Sequence, residues 1–147
     1  MRTIKLISAT LLLIFATQSM AVAQSTNFSE TFKKHFNETV EKVQETENAD
    51  EKRVILNESF TKMIDTIDRI ETMANLNEEE SEQLSAYRAD IVEKQNELNG
   101  LDGYELVEDI DLDDFSSYTQ DFLEQANRTV TIGLTTLLLV LIILLLL

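Results

Sequence analysis

Apolar residues recur through the middle of the chain at spacings of three and four, separated by short polar breaks. Phe28, Phe32, Phe36, Val40 and Val43 form the first stripe, the mark of one apolar face on an α-helix. A helix is expected from Ser29, a suitable N-cap, to about Glu47. Asn48-Ala49-Asp50 interrupts it. Asp50 can cap a second helix from Glu51 to about Asn75, with Leu56, Phe60, Met63, Ile64, Ile67, Ile70 and Ala74 as its stripe. Asn77 followed by Glu78-Glu79-Glu80 is a helix start: Asn77 can bond the amide of Glu80, and the acids sit at the positive end of the helix dipole. The third helix should run from Glu78 to about Leu98 on Leu84, Tyr87, Ile91 and Leu98, with Glu93, Lys94 and Gln95 diluting its second half. Asn99-Gly100 ends it, because Gly can take the left-handed conformation that closes a helix.

Leu101 to Asp114 reads as irregular and acidic, with Ile110 and Leu112 as inward-pointing residues. Asp113 or Asp114 can cap a fourth helix on Phe115, Tyr118, Phe122 and Ala126. No breaker separates it from the tail, so residues 115–147 read as one continuous helix. The fold class is all-α: a three- to four-helix up-and-down bundle, or an antiparallel helical hairpin, with a C-terminal transmembrane helix continuous with the last helix. Phe32, Phe36, Phe60, Ile64, Ile67, Leu84, Tyr87, Ile91, Phe115 and Phe122 are expected to face one another, with Arg69 pointing outward.

The two ends change the picture from a bundle to a bundle with addresses. Thr129 to Leu147 holds no charged side chain and finishes in eleven apolar residues from Leu137. As a helix it reaches roughly 28 Å, close to the hydrocarbon thickness of a bilayer. Met1 to Ala23 has a basic start at Arg2 and Lys5, an apolar run from Leu6 to Ala16, and the small-x-small pattern Ala21-Val22-Ala23. That is the layout of a secretory signal, and its apolar run is short for a membrane span. The expected organisation is a signal peptide over 1–23, an exported helical domain over 24–128 and a transmembrane helix over 129–147. It places a single-pass protein in the membrane with its domain outside the cytoplasm. The leader has the style of a bacterial export signal, so the periplasm or cell surface is favoured.

Composition adds limits. The chain has no Cys, Pro or Trp and only three Gly. Lack of Pro suits a nearly all-helical chain, and lack of Cys rules out a disulfide brace. Apart from Arg2 and Lys5, all twelve basic residues lie in the exported part, as do all 27 acidic ones. Ten against 27 gives the domain a net charge near −17. Such a surface repels nucleic acid and suits a cationic partner, divalent ions or simple solvation.

Candidate chemistry is sparse. Asp109, Asp111, Asp113 and Asp114 carry carboxylates at alternate positions, as the first half of a calcium loop does. Asp114 stands where the turn Gly is needed, and Gln120 where the closing Glu belongs. His35 is the only histidine and reads as an exposed polar residue; one His without Cys cannot build the usual zinc site. No nucleophile elbow, phosphate loop or Glu-x-x-His pair is present, so no enzyme and no cofactor is expected. Asn27, Asn37, Asn57 and Asn127 head N-glycosylation patterns. In a eukaryotic chain they would accompany a second reading of the tail, a lipid-anchor signal with Asn127 or Ser116-Ser117 as its attachment site. The expected function is a non-enzymatic interaction or scaffold protein of the cell envelope that pairs with another protein or with itself. The alternatives are a calcium-responsive module and a lipid-anchored surface protein.

Overall fold

Four helices follow from the stripes. The computed structural model describes residues 28–126, together with Leu139, Ile142, Ile143 and Leu146 of the tail. Helix α1 spans Phe28–Glu45, α2 Ala49–Met73, α3 Glu78–Asn99 and α4 Leu112–Ala126, with a 3₁₀ turn at Asp109–Asp111 leading into α4. The described residues are thus an all-α bundle. The leader and the junction between α4 and the tail lie outside them.

Capping chemistry sets the starts of α2 and α3, while Ser29, Asp50, Asp113 and Asp114, all expected as caps, lie inside the first turns of α1, α2 and α4. At α3 the Asn77 side chain accepts from the Glu80 amide while the Glu80 carboxylate accepts from the Asn77 amide, the reciprocal box read in the sequence. At α2 the cap is Asn48 rather than Asp50. Asn48 is extended (φ −81°, ψ 121°) and accepts from the Glu51 amide at 3.0 Å. Asp50 and Glu51 fall in the first turn, where their charge meets the dipole. Gly100 closes α3 at φ 63°.

Successive helices run antiparallel. Lys33, near the start of α1, reaches Glu124, near the end of α4, at 2.6 Å. Asp68 of α2 meets Arg88 of α3. Each of α1 and α3 packs against both α2 and α4, so the chain order runs around the bundle. Phe36 stacks on Phe60 with ring centres 5.5 Å apart, and Phe32 meets Tyr87 edge-on at 5.7 Å, both favoured aromatic geometries. Of the ten residues expected to face one another, eight are buried, while Ile64 and Phe122 are half-buried against the core. Arg69 is exposed.

Two inward assignments change at α4. Leu112 is fully buried, but Ile110 is 84 % exposed. Residues two apart in a helical turn point about 200° away from each other, so once 109–112 winds up only one of the pair can face the core. Tyr118 is also exposed; Leu123 is buried.

In the tail, Leu139, Ile142, Ile143 and Leu146 are helical. Ile143 is buried and Leu139 packs against apolar neighbours, whereas Leu146 is 79 % exposed. Among the described residues no helix is long and apolar enough to cross a membrane.

Candidate functional site

The acidic segment closes one end of the bundle, where α1 and α3 finish and α2 and α4 begin. Gly100 starts it. A Cβ on Gly100 would lie 2.9 Å from the Leu106 nitrogen and 3.0 Å from its Cα, so the returning loop packs directly on the glycine. Asp102 (φ 55°) and Gly103 (φ 92°) carry the reversal, and the Tyr104 amide bonds the Leu101 carbonyl at 3.1 Å.

Two cations of α2 fasten this loop. Arg53 donates to the Leu98 carbonyl at 2.6 Å, to the Val107 carbonyl at 2.7 Å and to the Asp109 carboxylate at 3.1 Å. One guanidinium thereby satisfies a helix-end carbonyl of α3 and holds the loop across it, a use of its fixed fork of donors. Lys52 contacts both carboxylate oxygens of Asp113 at 2.6 Å, joining the starts of α2 and α4.

The four carboxylates of the expected calcium loop are therefore divided. Asp109 faces Arg53 and Asp113 faces Lys52, while Asp111 and Asp114 border a groove. Among the described residues, no group of three or more His, Cys, Asp or Glu side chains is placed to hold a metal ion. The physical reason is the winding of 109–114 into a 3₁₀ turn and a helix, which fans alternate carboxylates outward instead of wrapping them around one point.

The groove, of about 450 Å³, runs between the loop and the first turns of α4. Leu106, Val107, Phe115 and Tyr118 line it together with Glu105, Glu108, Asp111 and Asp114.

Below it lies an ion pair that the sequence reading missed. Lys94 is 3 % exposed. Its Nζ contacts the Glu97 carboxylate at 2.5 Å and donates to the Tyr118 hydroxyl at 3.5 Å. It also sits 4.8 Å and 4.5 Å from the ring centres of Tyr118 and Phe122, within cation–π range. Burial alone would lower its pKa, yet Glu97 and Tyr118 hold it above the ordinary lysine range. Lys94 follows Ile91 by three and precedes Leu98 by four. It occupies a place in the α3 stripe, and that spacing is the signal that could have found it.

His35 is half-buried rather than exposed. Its Nε2 lies 3.4 Å from the Ser59 hydroxyl, which pairs with Thr39 at 2.8 Å. Burial, helped by Lys62 and Lys42 and opposed by Glu38, depresses its pKa. No carboxylate bond to the ring completes a triad among the described residues. Asn37 accepts from Gln120, and Asn57 exchanges bonds with Asn99, so two of the glycosylation-pattern asparagines join helices.

The chain matches no family model, no curated protein and no solved structure.

Proposed function

We propose that this chain is a membrane-anchored interaction protein whose acidic helical bundle stands outside the cytoplasm and has no catalytic role. The observation that carries the reading is the uncharged run from Thr129 to Leu147, apolar throughout from Leu137. The exposed tail residues Ile142 and Leu146 support it, because a helical apolar face in the open calls for an apolar medium. The leader over 1–23 supports export of the bundle. Cation-fastened acids, a packed core and interhelical amide bonds favour a rigid presenting body over an enzyme cleft. Its partners are the bilayer and a protein, with nucleic acid repelled by the charge.

Carbonate extraction of membranes containing the full chain tests the anchor. The chain should stay in the pellet, and deletion of 129–147 should release it. Leu141→Arg should hinder insertion by roughly 3 kcal/mol relative to an apolar residue. N-terminal sequencing should begin at or near Gln24. A chain that washes off with carbonate would end the spanning reading, and release by a phospholipase would replace it with a lipid anchor.

A further inference from the structure

Five large apolar side chains stand exposed at or beside the acidic end of the bundle: Leu101, Tyr104, Leu106, Ile110 and Tyr118. Leu106 is 58 % exposed there. Among residues 31–126 the other exposed large apolar residues are Val54, in the second turn of α2, and Met73. A concentration of apolar surface at one end of an otherwise charged domain marks a contact surface.

The charge around it has a single sign. Glu105, Glu108, Asp111 and Asp114 border the groove, and none of them forms an ion pair among the described residues. The cations nearest in the fold, Arg53, Lys52 and Lys94, are already committed to Asp109, Asp113 and Glu97. Apolar and unpaired acidic side chains lining one groove are the complement of a chain segment that carries apolar residues flanked by Lys or Arg.

We propose that this groove docks a basic amphipathic segment of a partner protein, with apolar side chains between Leu106 and Tyr118 and basic ones on the four carboxylates. The proposal rests on the reading of the chain as an interaction protein and names its contact site. A second copy of the chain is a poor occupant, since a net charge of −15 sets copies against each other. The segments 1–27 and 127–147 join the bundle at its other end, where α1 starts and α4 finishes.

The test uses the full chain in a neutral maltoside detergent and, as probe, a short fluorescent peptide with a leucine pair flanked by lysines. Binding is read by anisotropy at fixed ionic strength. Leu106→Ser should weaken it about tenfold, the effect of removing one buried leucine contact. The double change Glu105→Gln with Asp111→Asn should weaken it to a similar degree and flatten its dependence on salt. Glu78→Gln with Glu82→Gln, exposed at the opposite end, should leave binding unchanged. Because Leu106 is already largely exposed, its serine variant keeps the core intact, and unaltered thermal melting verifies this. The proposal is overturned if the serine version of the peptide binds as well as the leucine one, or if the opposite-end variant loses as much as the groove variant. Equal binding of Leu106→Ser and the unaltered chain also overturns it. That result leaves the anchored reading standing, because carbonate resistance reads the anchor independently.

Discussion

Lys94 shows how one side chain can hold a helix pair. Its stem crosses the apolar seam between α3 and α4 while its ammonium meets Glu97 and the rings of Tyr118 and Phe122. The pair is nearly dry on the lysine side, and a desolvated pair gains less than its Coulomb energy implies. Lys94→Met keeps the stem and removes the charge, so it should change stability by less than about 1 kcal/mol. Glu97→Ala leaves a buried ammonium without its partner and should cost about 1–3 kcal/mol. Urea unfolding of the two variants measures the order, and a larger loss from Lys94→Met would show that the charge itself stabilises α3 against α4. His35 carries a second residue-scale consequence. Its pKa in the fold lies below the ordinary 6.5, so the unfolded chain binds more protons as the solution is acidified. Stability from this group is present above about pH 6.5 and is lost as pH falls through the depressed folded value. The melting temperature should fall between pH 7 and pH 5, and His35→Gln should flatten that part of the profile. A profile unchanged by the substitution would assign the loss to carboxylates.

At the scale of elements, the breaks between helices were more legible than the residue that does the capping. Asn48 and Asp50 both suit an N-cap, and local sequence does not choose between them. The structure chooses Asn48, whose side chain bonds the Glu51 amide. Asn48→Ala should therefore cost about 1 kcal/mol. Asp50→Ala should cost only the dipole contribution, at most about 0.3–1 kcal/mol when exposed. Thermal melts decide it, and equal losses would return the cap to Asp50. The end of α3 was readable because Gly100 is needed twice over, for its left-handed φ and for the close passage of Leu106. The start of α4 was not, because alternating acids and apolar residues fit a loop, a strand or a helical turn until packing selects one. Leu112 went inward, and Ile110 and the carboxylates beside it were left outside.

For the whole molecule, charge is the largest unbalanced quantity. Arg53 and Lys52 neutralise Asp109 and Asp113 at the loop end, while Glu105, Glu108, Asp111 and Asp114 form no ion pair among the described residues. Matched ionic strengths of sodium and calcium should stabilise the bundle alike, by screening over about 8 Å at physiological ionic strength. Calorimetric titration checks this. A saturable micromolar calcium transition, lost in Asp111→Asn with Asp113→Asn, would mean that the acidic turn rearranges to gather its carboxylates.

Helical periodicity, the absence of proline and the polar breaks made four helices and most of the core readable from the chain alone, because both are set by neighbours within a few residues. The same local patterning supplies the membrane and export expectations at the two ends, which stand on composition. Which cations meet which acids was decided only in three dimensions. Lys52 and Asp113, and Arg53 and Asp109, are 61 and 56 residues apart, and nothing local links them. The split of the acidic segment into two paired carboxylates and two that border a groove follows from that pairing. So does the place of Lys94, whose partners across the seam, Tyr118 and Phe122, come to it only when α3 and α4 pack together.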